Sequence, residues 1–175
     1  FLIFLGALSY SVPPLRLASS GYGELLMSIM VANLAPALAY LLQAGEWHRL
    51  LPMSTFPLLF LHLAMMVAFE FPDYATDSKF EKPTILVRMG WLRGMHLHNL
   101  LLLGGFALLG IAWALGLPYQ IALPALAILL VAGFQIWMMN HIEAGARPNW
   151  LLFTSVAAAI FGLTAYLLAY GFWTR

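Results

Sequence analysis

Of the 175 residues, 63% are hydrophobic and only 9% charged, and the formal net charge is +1. With a mean hydropathy of +0.88, such a chain is built for a lipid bilayer; it is no soluble domain, and its charge makes no case for nucleic acid. The absence of cysteine excludes a disulfide framework and any thiolate site.

The chain opens inside an apolar run that continues to about residue 12 and closes at Pro13-Pro14, a pair that a helix interior does not accept. Without an initiator methionine or a basic leader, this run reads as the tail of a span whose start lies upstream, and not as a signal peptide. A polar loop with Arg16, Ser19, Ser20, Gly21 and Gly23 follows. Spans are then predicted over residues 24–44, 54–71, 95–116, 121–141 and 150–173. Each is about 20 residues long, enough for a hydrocarbon core of about 30 Å. Residues 45–49 end the first of these at an interface, residues 88–94 close a longer loop, and the tight 117–120 connection makes its flanking helices antiparallel.

Several polar and aromatic residues along the spans read as structural. His62 and Asn33 need partners inside hydrocarbon, which helix–helix hydrogen bonds would supply as readily as a substrate cavity. His96 and His98 are two apart, so a helix sends them to different faces, with an interfacial role expected. Trp47, Trp91, Trp150 and Trp173 fall at predicted span ends, as an aromatic belt would. Gly104, Gly105 and Gly110 suit close helix packing. His141, Glu143, Arg147 and Asn149 form a loop that is a candidate rim for a site.

The densest chemistry lies in residues 70–84, where four acids, two lysines and two threonines share fifteen positions. Asp73 and Asp77 stand four apart, so a helix projects both carboxylates from one face. Pro72 suits a first helical position, and acids in a first turn complement the helix dipole. Two carboxylates converging at a membrane boundary repel unless a cation lies between them, and acids at such a place read as functional. Oxygen ligands with room for water suit Mg²⁺, commonly held by one or two carboxylates plus substrate phosphates. Lys79 and Lys82 would meet a phosphate from the other side as point charges. An ordinary charged loop with local ion pairs is the alternative that spacing leaves open. Arg16, Lys79, Lys82, Arg88, Arg93 and Arg147, six of the eight basic residues, fall on the same side as this loop, with Arg49 and Arg175 opposite. The positive-inside rule therefore predicts a cytoplasmic aspartate loop in a multi-pass cell-membrane protein.

The string Asp73-x-x-x-Asp77-x-Lys79-x-x-Lys82-x-Thr84, continuing through Leu86, Val87, Arg88 and Gly90, resembles the second aspartate-rich motif of the UbiA-type intramembrane prenyltransferases. Tyr10-Ser-Val-Pro-Pro-Leu-Arg16 and Gly21-Tyr-Gly-Glu-Leu25 resemble the loop and helix start that precede it. The resemblance implies an all-α transmembrane bundle in which residues 1–175 form the C-terminal part of one prenyltransferase domain. It implies Mg²⁺-dependent transfer of a polyprenyl group from its diphosphate to an aromatic, quinone-precursor acceptor. Asp73 and Asp77 would hold the metal, and with Lys79 and Lys82 would carry the catalysis. Tyr10, Arg16, Tyr74, Thr84 and Arg88 would bind substrate. Pro83 and the Ala18-Ser19-Ser20 stretch depart from the basic residues common in the family, which leaves the acceptor open. A first aspartate-rich motif is implied upstream of Phe1, so these residues alone are expected to be inactive. Two rival classes are a transporter whose acids bind a translocated cation and a non-catalytic membrane subunit that carries the motif.

Overall fold

The computed structural model describes residues 1–174; Arg175, counted in the charge balance, lies outside them. All regular structure among the described residues is helical. In chain order it comprises α1 (Leu2–Ser11), a 3₁₀ turn (Leu17–Ser19), α2 (Gly23–Ile29), a π turn (Met30–Leu34), α3 (Ala35–Ala44), α4 (Leu50–Glu70), α5 (Tyr74–Lys79), α6 (Ile85–Met89), α7 (Trp91–Ala114), α8 (Tyr119–Ala127), α9 (Leu129–Glu143) and α10 (Trp150–Trp173). Five rods of 21 to 25 residues are long and apolar enough to cross a bilayer: 23–44, α4, α7, 119–143 and α10. The chain is thus a multi-pass, all-helical membrane protein, with short α1 as a further apolar piece. Leu42, Leu130 and Leu151 stand more than three-quarters exposed on these rods, as lipid-facing side chains of a spanning helix are.

Proline accounts for one of the differences from the predicted spans. Pro36 has no N–H to give the carbonyl one turn back, and the ladder widens to the π turn immediately ahead of it. The predicted 121–141 span is two helices meeting at Ile128, where the Ile128 N–H tightens onto the Ala125 carbonyl; Pro124 is accommodated inside α8. The predicted 54–71 span starts a turn earlier, at Leu50, and accommodates Pro57 in its interior. The stretch predicted to close the loop, 88–94, instead ends α6 and begins α7, with Gly90 at φ +82° making the corner between them.

Helix α4 is the core, packed by α7 along its length and also by α10, α2 and the π turn. Ala64, Val67 and Ala68 are wholly buried, and small residues of this kind let backbones approach. Gly105 of α7 approaches α4 closely, since a Cβ there would lie 2.7 Å from Leu61 Cδ2 and 3.2 Å from the Pro57 carbonyl oxygen, whereas Gly110, also expected to pack closely, has no neighbour within 4 Å of that position. Polar bonds tie some of the rods as hydrocarbon requires, and the expected partner is found for His62 but not for Asn33, whose Nδ2 is buried without one. His62 Nδ1 lies 2.9 Å from Ser28 Oγ, joining α4 to α2, and Asn99 Nδ2 donates to Asn140 Oδ1 at 3.2 Å, joining α7 to α9. His96 and His98 do point apart. His98, however, is wholly buried against Asn99 and Phe153 and so is no interfacial residue, whereas His96 is exposed, 3.9 Å from Glu143.

Candidate functional site

At one end of the bundle the loops 12–22 and 71–90 come together, while residues 45–49 and 115–118 lie at the other end, where the Arg49 guanidinium comes near Gly116. The aspartate loop grows directly out of α4. Phe71, next after the last residue of that helix, is 2% exposed and centres an aromatic cluster, its ring 5.0 Å from Trp91, 6.3 Å from Trp150 and 6.1 Å from Phe153. Tyr74 joins through Trp91 at 5.2 Å. Rings meeting edge to face bury large area in fixed geometry. They pin the point where the loop leaves the helix. Two of the four tryptophans assigned to an interfacial belt, Trp91 and Trp150, therefore turn inward, and Tyr74 packs with them, whereas Trp47 and Trp173 remain exposed.

Asp73 is the N-cap residue of α5, and Pro72 lies just outside that helix, not at its first position. The Asp73 side chain is exposed and makes no cap hydrogen bond. Asp77, one turn on, is only 9% exposed. The chain then folds back on it: Lys82 N–H donates to the Asp77 carbonyl at 2.9 Å, and Lys82 Nζ donates to Oδ1 and Oδ2 at 3.2 and 3.1 Å. Glu81 takes a left-handed conformation, φ +50°, at this reversal. Lys79 instead lies 5.8 Å over the ring of Phe80. Thr84 is buried and its Oγ1 accepts from Val87 N–H at 3.2 Å, capping α6. Arg88 donates to the Ser20 carbonyl at 2.6 Å and lies 4.8 Å over the Tyr22 ring. Tyr10 packs where a Cβ on Gly23 would meet its ring at 3.4 Å, and Arg16 stands at the surface with φ +45°.

The loop thus gathers Asp73, Asp77, Lys79 and Lys82 at one end of the bundle, with Thr84 and Arg88 bonded to protein groups just beside them. Among the described residues no three His, Cys, Asp or Glu side chains converge as a metal cage. Asp73 is exposed and both Asp77 oxygens are engaged by Lys82, so a Mg²⁺ shared by the two acids would require Lys82 to leave and phosphates and water to complete the shell. Of the proposed rim residues, Asn149 accepts from Leu152 N–H and caps α10, and His141 bonds back to the Trp137 carbonyl oxygen; both have local structural partners.

One acidic contact has no signature in spacing. Glu24, in the first turn of α2, faces Glu70 at the end of α4, with Thr84 alongside. Glu70 Oε2 accepts from Leu86 N–H at 2.9 Å, whereas Glu70 Oε1 and Glu24 Oε2 are buried with no donor from any other residue. Read from sequence, Glu24 stands alone; only the folding of α2 against α4 pairs it.

Taken together, fold and loop define a multi-pass helical membrane protein with an acid–lysine loop at one end. No known protein family, curated protein or solved structure matches the chain.

Proposed function

We propose that this chain is the aspartate-loop portion of a membrane prenyltransferase, transferring a polyprenyl group from its diphosphate to an aromatic acceptor. The observation that carries the reading is the Asp77–Lys82 pair: a nearly buried carboxylate beside a cationic side chain that is 61% exposed, one turn beyond the exposed Asp73. A diphosphate needs opposite charge on several sides, and this loop offers two acids for a bridging cation and two ammonium groups for phosphate oxygens.

In the reaction, the allylic C–O bond breaks and its electron pair leaves with pyrophosphate. A new C–C bond then forms to the acceptor ring, which loses a proton. Mg²⁺ held by Asp73 and Asp77 would supply electrostatic stabilisation of the leaving pyrophosphate. Lys82 can swing from Asp77 to a phosphate oxygen without moving backbone, and Lys79 lies on the same short helix. The aromatic cluster under the loop holds the point where the loop leaves α4, and would keep water from that side of a cationic centre formed there. A transporter reading calls for acids near mid-membrane, whereas Asp73 and Asp77 lie beyond the end of α4.

The test measures Mg²⁺-dependent binding of polyprenyl diphosphate to the detergent-solubilised chain by calorimetry. It is paired with an assay for prenylated aromatic product when the chain is co-expressed with an N-terminal half bearing the partner aspartate motif. Binding that needs both Mg²⁺ and Asp77, with product in the reconstituted pair, is expected. Absence of diphosphate binding, or binding unaltered in Asp77→Asn, overturns the proposal.

A further inference from the structure

The end of the bundle that carries the aspartate loop is made of two loops distant in sequence, 12–22 and 71–90, and their contact is unusually close. Gly21 adopts φ +74°, and a Cβ placed on it would lie 2.4 Å from Arg88 Cδ and 2.7 Å from the Pro83 carbonyl oxygen. Such spacing leaves no room for any side chain, so the backbone of the first loop lies directly on the second. Arg88 spans the same seam: its guanidinium donates to the Ser20 carbonyl on one side of Gly21 and lies over the Tyr22 ring on the other. A planar fork does both at once in one fixed geometry, which a point-charge ammonium on a flexible stem does not hold.

We propose that Arg88 and Gly21 form an interloop clasp that makes the 12–22 and 71–90 loops one rigid body. Arg88 is then a residue committed to protein groups, and its part in any chemistry at the aspartate loop is to fix where that loop stands. The proposal does not rest on the prenyl-transfer reading. It concerns the geometry of the two loops in the protein by itself.

The absence of cysteine makes the test direct. Leu15 and Phe80, exposed on the two loops, are replaced by cysteine and spin-labelled, and the distance between labels is measured in lipid nanodiscs. A single narrow distribution is expected in the parent. Arg88→Ala, which removes the fork, and Gly21→Ala, which wedges the seam from the other side, should each broaden it. The double variant should be no broader than either single one, because both changes open one interface. Arg88→Lys keeps the charge without the fork and should behave like Arg88→Ala, which guards against a variant that fails for want of charge alone. Helical content by circular dichroism establishes that each variant is folded. An unaltered distribution in either single variant, additive broadening in the double, or a narrow distribution restored by lysine would each overturn the clasp.

Discussion

Lys82 closes on Asp77 through both carboxylate oxygens, and the two members of this pair see different solvents. The aspartate side chain is 12% exposed and the lysine 61%. The acid is therefore fixed and its partner free to leave, an arrangement suited to a carboxylate that exchanges a resident cation for another ligand.

The first expectation is that the two residues separate in their effects. Asp77→Asn should lower product formation in the reconstituted pair at least about a hundredfold, the order seen when one preorganised charge-stabilising group is lost. Lys82→Ala leaves the nearly buried Asp77 carboxylate without its cation and should cost about 1–3 kcal/mol of stability, more than the loss of a fully exposed ion pair. Thermal unfolding and turnover, measured on the same preparations, check both. Near-normal turnover in Asp77→Asn removes the residue from the mechanism.

Glu24 and Glu70 bring two carboxyl groups into hydrogen-bond contact, which holds only with a donor between them. Glu24→Gln keeps a donor at this contact and should retain stability, whereas Glu24→Ala leaves a buried Glu70 oxygen without a partner and should cost about 1–3 kcal/mol. Equal thermal midpoints in the two variants would remove the shared donor from the fold's stability.

Two glycines of α7 should respond in opposite directions. Gly105→Ala forces a Cβ against Leu61 and the Pro57 carbonyl and should destabilise by about 1–3 kcal/mol. Gly110 has no atom within 4 Å of where its Cβ would stand, so alanine there should be neutral or stabilising by up to about 1 kcal/mol. Equal effects at the two sites would contradict the tight α4–α7 seam.

Charge balance predicts the aspartate loop in the cytoplasm. Cysteine at Ser78 should react in intact cells only with a membrane-permeant reagent, and cysteine at Glu46 with an impermeant one. The reverse pattern would invert the topology.

The spans were legible because hydrocarbon demands long apolar runs, and α10 begins and ends where hydropathy places it. Breaks and offsets were less so. Pro36, Pro57 and Pro124 each lie inside a rod, and whether proline yields a π turn or is accommodated in a continuous helix depends on neighbours that spacing does not report. At the loop a short helix, α5, does form, but Asp73 caps it from outside and stays exposed while Asp77 lies buried within it. The burial of Asp77 was not legible, because Asp77 owes its place to a chain reversal at Glu81. The inward turn of Trp91 and Trp150 follows from Phe71, whose position under the loop is a tertiary fact. Pairing of Glu24 with Glu70, and of Arg88 with Ser20, joins elements far apart along the chain, and no local pattern carries that information.

The π turn at Met30–Leu34 has a consequence for side-chain phase. Such a turn takes in one residue more than an α turn, and one residue is about 100° of rotation about the axis. The stripe that points Ser28 toward His62 is therefore not continued by the positions a straight helix would bring round beneath it. Deleting one residue from 30–34 would remove the extra residue, let the rod close into a regular helix and leave the side chains of α3 facing as they do now, whereas straightening the rod at its present length would swing them by about a quarter turn.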